Sequence, residues 1–224
     1  MPFTEDFDDG VANGFSASGA YTANGVDGTY DMSISGAGLV RNSTVDLTNA
    51  DGAPGITMST DAEFSTFNGS VGFAAYGTNS GVSTGAFYLL DITGLGTTAD
   101  TGIRILEISG DGGISVAADL PGSFNFVETD PFSLSASFVP GAAPGSIDIE
   151  LTLTQGSDSF SISGTDATGL TGDAFGYRTR TTTGGNGELV GSFDNFSVTA
   201  IPEPGSLALA TAGAVLIVMR RRRS

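Results

Sequence analysis

Phe132-Ser-Leu-Ser-Ala-Ser-Phe-Val139 and Ser146-Ile-Asp-Ile-Glu-Leu-Thr-Leu-Thr154 alternate apolar and polar side chains with a period of two. Successive side chains of a strand point to opposite faces. Phe132, Leu134, Ala136 and Phe138 therefore share one face of the first segment, and Ile147, Ile149, Leu151 and Leu153 share one face of the second. Working outward, short β-branched and aromatic segments alternate with Gly, Asn, Asp, Ser and Thr clusters, and no sustained helical pattern appears before the C-terminal end. This reading predicts further strands over residues 3–7, 39–47, 56–64, 71–76, 86–92, 103–109, 159–163, 175–180 and 192–199. Residues 86–92 and 103–108 are apolar on both sides and are expected as central strands covered on both faces. The 34 glycines follow no triplet period and sit mostly between apolar runs, as turn residues do. The pattern predicts an all-β fold, a two-sheet antiparallel sandwich, formed as one body by residues 1–199.

The C-terminal end obeys different physics. Residues 200–206 hold Ile201-Pro202-Glu203-Pro204-Gly205, where two prolines without N–H groups favour an exposed, extended linker. Residues 207–219 are apolar on every face, so a bilayer suits them better than water and they are expected to form a membrane helix. At about 1.5 Å per residue they reach only about 20 Å, short of the ~30 Å hydrocarbon layer, which suits a temporary anchor. Residues 220–224 form a basic end in which Arg220, Arg221, Arg222 and Arg223 would resist crossing and stay cytoplasmic, leaving the body outside. This succession of Pro-Glu-Pro, short apolar run and terminal basic cluster resembles the PEP-CTERM sorting signal of exported bacterial proteins, also labelled an ice-binding-protein C-terminal motif. The resemblance implies recognition by an exosortase-type membrane enzyme, cleavage near Pro-Glu-Pro, and delivery to the cell surface or an exopolysaccharide matrix. Residues 1–10 carry no basic-plus-apolar leader, so the secretion signal such proteins need is expected upstream of Met1.

A second resemblance concerns the body. Phe3-Thr-Glu-Asp-Phe7 at the start and Gly191-Ser-Phe-Asp-Asn-Phe-Ser-Val198 at the end look like the first and last strands of concanavalin A-like, laminin-G-like jelly rolls. In that fold the terminal strands pair side by side, and an immunoglobulin-like sandwich is the rival architecture.

Composition bounds the chemistry. Residues 1–200 hold 24 acidic residues against four arginines, a formal charge of −20, which repels nucleic acid and anionic lipid. Histidine, cysteine and lysine are absent, which excludes Ser-His-Asp and Cys-His catalysis, His-ligated metals, Schiff bases and P-loops. Carboxylate chemistry remains. The face 146, 148, 150 resembles the Glu-x-Asp-x-Glu of laminarinase-type glucanases at Asp148 and Glu150, but Ser146 stands where the nucleophile belongs. A solvated polar face over a core of Ile147, Ile149, Leu151 and Leu153 explains the segment better, and no catalytic residue is assigned.

Calcium is the only cofactor the residue types invite, through acidic loops at Asp6, Asp8 and Asp9, at Asp46 and Asp51, and at Asp194. Asp and Asn beside glycine are also ordinary turn formers. The leading expectation is a non-enzymatic surface or matrix protein whose body binds glycan or protein. A degenerate carbohydrate-active enzyme is the alternative. Ice binding is a third class, which would need a flat Thr-rich face, and no Thr-x-Thr ladder runs along the chain.

Overall fold

A computed structural model describes residues 2–17, 19–47, 55–78, 85–95, 102–109, 112–119, 126–183 and 187–201. Among them run β1 (Phe3–Glu5), β2 (Phe15–Ala17), β3 (Tyr21–Asn24), β4 (Thr29–Ser35), β5 (Val40–Asp46), β6 (Ile56–Gly77) and β7 (Phe87–Leu95). They are followed by β8 (Gly102–Ser109), β9 (Gly112–Asp119), β10 (Phe132–Pro140), β11 (Ile147–Gln155), β12 (Asp158–Asp166), β13 (Ala174–Thr181) and β14 (Glu188–Ala200). Every pairing is antiparallel. One sheet, called here the terminal sheet, runs β3-β4-β14-β6-β10-β11-β12, with β1 beside the C-terminal part of β14. The facing sheet runs β2-β5-β13-β6-β7-β8-β9.

The long strand β6 joins the two. Its first part, to Phe67, pairs with β10 and β14, and from Asn68 onward it pairs with β13 and β7. The sequence predicts two strands here, because Phe67-Asn-Gly-Ser70 carries turn residues. In the fold these residues instead mark where the strand passes from sheet to sheet. A Cβ on Gly69 would collide with the Arg180 carbonyl, and one on Gly72 with the Leu90 carbonyl, so both positions require glycine for close strand approach. The other segments read as strands form, and β1 pairs with β14 through Phe3↔Val198 and Glu5↔Phe196, as the jelly-roll resemblance implies. Four strands went unread: β2, β3, β4 and β9.

The core lies between the sheets and is dominated by rings. Tyr177 of β13 stacks on Phe193 of β14 with centroids 4.1 Å apart, and Phe7 stacks on Tyr30 at 4.9 Å. Tyr76 and Tyr88 pack edge-on and tilted against Phe138. All five tyrosines of the chain are buried. Four of them tie one sheet to the other through their hydroxyls: Tyr30 with Ser43 at 2.7 Å, Tyr177 with Thr60 at 2.9 Å, Tyr21 with Thr179 at 3.1 Å and Tyr88 with Asp166 at 2.5 Å. A buried phenol needs such a partner, and the pairing fixes how the layers sit.

Burial pushes the Tyr76 phenol up to about 12 and the Tyr21, Tyr88 and Tyr177 phenols well above their ordinary value. A raised folded-state pKa leaves stability intact below the unfolded value near 10 and removes it as pH rises through the folded value. Spectrophotometric titration is therefore expected to show little phenolate at pH 10, then a cooperative rise above about pH 11 that coincides with unfolding. A smooth titration centred on 10 with the fold intact would contradict this packing.

Residues 202–224 lie outside the described residues, and with them the expected membrane helix at 207–219 and the basic end. Among the described residues no helix is long and apolar enough to cross a membrane.

Candidate functional site

The outer face of the facing sheet gathers most of the body's positive charge. Register places Asn42, Arg178, Gly72, Asp91 and Arg104 in one row across β5, β13, β6, β7 and β8. The next row carries Arg180, Ser70 and Thr93. Alternation along β13 sends Tyr177 and Thr179 into the core, so Arg178 and Arg180 both face outward.

Arg104 donates from Nε to Asp91 Oδ1 at 2.9 Å and from Nη2 to Asp91 Oδ2 at 2.7 Å, a two-toothed pair. Asp91 is 0% exposed, so this guanidinium is what makes its burial tolerable. Arg178 lies over the Phe87 ring, 5.4 Å from its centre, and its buried Nε has no hydrogen-bond partner among the described residues. Burial lowers the Arg178 pKa, Asp91 opposes that shift, and the nearby Arg180 and Arg104 charges add to it. Beside these arginines opens a cleft of about 410 Å³ lined by Asn68, Ser70, Thr93, Arg104, Arg180 and Thr181–Thr183.

The residues singled out in the sequence fall elsewhere. Asp148 and Glu150 project from the outer face of the terminal sheet, half-buried and exposed respectively. Ser146 is buried in the preceding turn, where its hydroxyl donates to the Ala143 carbonyl at 2.7 Å. Asp148 accepts from the Thr165 hydroxyl at 2.6 Å, and Glu150 stands between Ser137 and Ser163 on the neighbouring strands. No carboxylate is opposed to Glu150 across these pairs, so the two-carboxylate arrangement of a retaining glycosidase is not formed there.

The calcium candidates are partly brought together. Asp194 has its carboxyl pKa raised, first by burial and then by the Asp61, Asp8 and Asp6 charges, while the Asn195 N–H opposes the shift. Asp61, which the sequence did not flag, accepts from Asn195 Nδ2 at 2.9 Å. Asp6 and Asp9 also act as turn formers, accepting from the Asp8 and Val11 N–H groups. Among the described residues no three carboxylates converge closely enough to hold a metal ion. Asp46 ends β5 of the facing sheet opposite Ala174, whereas Asp61 and Asp194 pair within the terminal sheet, and Asp51 lies outside the described residues.

One feature of the terminal sheet was invisible in the chain. Ser161, Thr152, Ser135, Ser59, Ser197 and Thr4 stand side by side on six neighbouring strands. Ser59 pairs with Ser197 at 2.7 Å and Thr152 with Ser161 at 2.6 Å, so much of this hydroxyl row satisfies itself as cross-strand pairs. The ladder is mixed Ser/Thr and runs perpendicular to the strands, where no repeat along the sequence could reveal it.

At the C-terminal end Ile201 is half-buried, and its N–H donates to the Gly55 carbonyl at 2.7 Å. Residues 200–223 match the family described as the PEP-CTERM protein-sorting motif. The chain ends in a PEP-CTERM sorting motif. That motif marks export and sorting to the cell surface, and Ile201, within it, is the last of the described residues.

No curated protein matches the chain. Solved structures do match in fold. Basic winged bean lectin with Tn-antigen has a TM-score of 0.59 at 11% identity, over 90% of this chain and 99% of that one. Peanut lectin with a nine-residue peptide has a TM-score of 0.54 at 16% identity, over 90% and 98%. The Bauhinia forficata lectin in complex with GalNAc has a TM-score of 0.56 at 10% identity, over 89% and 98%. The described body of the chain thus has a legume lectin-like, concanavalin A-like jelly-roll fold, and identities this low speak to fold alone.

Proposed function

We propose that this chain is an exported, non-enzymatic carbohydrate-binding protein of the cell surface or extracellular matrix. The observation that carries the proposal is a sorting motif attached to a lectin-like jelly roll whose facing sheet bears a polar cleft. The winged bean and Bauhinia lectins are described with Tn-antigen and with GalNAc, which favours a glycan as the ligand of this body. Residues 1–199 serve as the binding body and 200–206 as the linker read by an exosortase-type enzyme through Ile201, Pro202, Glu203, Pro204 and Gly205. Residues 207–219 anchor the chain in the membrane until cleavage, with Arg220–Arg223 as the cytoplasmic stop. Exopolysaccharide is the natural partner in that location. Calcium at Asp6, Asp8 and Asp194 is a matter for the assay, in which each measurement is repeated with chelator.

Both halves are testable. Glu203→Ala, or deletion of residues 220–223, is expected to leave the protein uncleaved and reduce its surface fraction several-fold in fractionated cells. Unchanged processing would remove the sorting role. The protein is expected to bind sugars without releasing reducing ends from β-glucans, and turnover abolished by Glu150→Gln would replace the binding reading with an enzymatic one.

A further inference from the structure

We propose that the cleft on the facing sheet takes an acidic sugar, a hexuronate residue whose carboxylate sits between Arg180 and Arg104. This rests on the glycan-binding reading above and narrows it to one ligand class.

Three observations carry it. The body has only four arginines among 24 acidic residues, yet three of them, Arg104, Arg178 and Arg180, stand on adjacent rows of one sheet face. Like charges held this close repel one another, so folding alone gives no reason to collect them. Asp91 neutralises one guanidinium, and among the described residues no carboxylate forms an ion pair with Arg178 or Arg180. Counting the described residues, the face therefore keeps about two positive charges beyond the one that Asp91 pairs, within an otherwise strongly acidic body. Finally, Arg104 commits Nε and Nη2 to Asp91 and keeps further donors, while Arg180 is exposed at the cleft wall and its fork is not engaged by any of the described residues.

The chemistry follows from these donors. Guanidinium matches a planar carboxylate in two-toothed fashion, which selects an anion and fixes its orientation. Ser70 and Thr93, on the cleft floor between the two arginines, offer hydroxyls of the kind that accompany sugar rings. The distant acidic residues oppose a long polyanion but are largely screened beyond about 8 Å at 0.15 M salt. A short uronate-bearing oligosaccharide is accordingly the preferred ligand over a continuous acidic polymer.

The test uses the full chain in detergent micelles at 0.15 M salt. Trigalacturonate and short alginate and glucuronate oligosaccharides are titrated beside their uncharged counterparts. At least a tenfold preference for the acidic member of one pair is expected. Arg180→Gln should abolish that preference, Arg180→Lys should retain part of it, and Arg41→Gln, outside the cleft, should leave it intact. Tm measured on each variant separates lost binding from lost folding. Equal binding of charged and neutral sugars, unchanged in Arg180→Gln, would overturn the acidic-sugar inference and leave glycan binding standing. Binding of no sugar would overturn both, and finding that Arg180 instead mediates concentration-dependent self-association without sugar would overturn the acidic-sugar inference alone.

Discussion

Tyr177→Ala is expected to lower stability by about 3–5 kcal/mol, the usual range for truncating a buried aromatic. For a body of this length that corresponds to a Tm lower by roughly 6–20 °C, at about 2–4 °C per kcal/mol. The reason is position. Tyr177 is fully buried, stacks on Phe193 at 4.1 Å, approaches Phe196 at 5.1 Å and Phe15 at 6.0 Å, and reaches Thr60 on the other sheet. Tyr177→Phe keeps the rings and removes only the hydroxyl. Thr60 still donates to the Asp194 carbonyl at 2.8 Å, so that variant should lose about 0.5–1.5 kcal/mol. Calorimetry of both separates ring from hydroxyl. A loss below about 1 kcal/mol for the alanine variant would mean the sheets do not pack through this ring.

Arg104→Ala should be nearly as damaging, at about 3 kcal/mol, because it leaves a fully buried Asp91 without its two-toothed partner. The cost belongs to the orphaned charge more than to the lost bond. Replacing both residues by leucine removes the charge as well, and Phe87 and Leu89 on β7 with Leu106 on β8 make an apolar setting for the new side chains. The double variant is expected to recover most of the loss in denaturant unfolding. Equal losses in the single and double variants would show that Asp91 is satisfied by something other than Arg104. Arg180→Gln, which touches the proposed ligand site without burying a charge, should by contrast leave stability within about 0.5 kcal/mol.

Much of the sandwich was legible because alternation along one strand is a property of the chain itself. The two segments that decided the reading become β10 and β11, paired through Phe138↔Ile149 and Leu134↔Leu153 with their apolar faces inward. Terminal pairing was legible from the short Phe-containing ends, and the tail from its order of proline, apolar and basic residues. β4 went unread although Tyr30, Met32 and Ile34 alternate in Thr29–Ser35, a segment in which Asp31 and the glycines on either side carry turn chemistry. β6 was cut in two because Asn68 and Gly69 carry turn chemistry in a strand that changes sheets.

The site was harder for a physical reason. Arg104 and Arg178 are far apart in sequence and meet only through the register of β13, β6, β7 and β8. A partial signal existed. Arg178 and Arg180, two apart on a strand of a chain poor in positive charge, had to share a face. The hydroxyl row of the terminal sheet gave no such hint, since each strand contributes a single member. Asp148 and Glu150 drew attention through spacing, but the register surrounds Glu150 with serines.

The central claim is that a sorted, lectin-like body holds glycan in the cleft of its facing sheet. The most direct measurement is a glycan array probed with the full chain in micelles, with and without chelator, alongside Arg180→Gln. The account predicts retention on a subset of glycans, enriched in acidic ones and lost in the variant. A flat response to every glycan, with the fold intact by calorimetry, would contradict it.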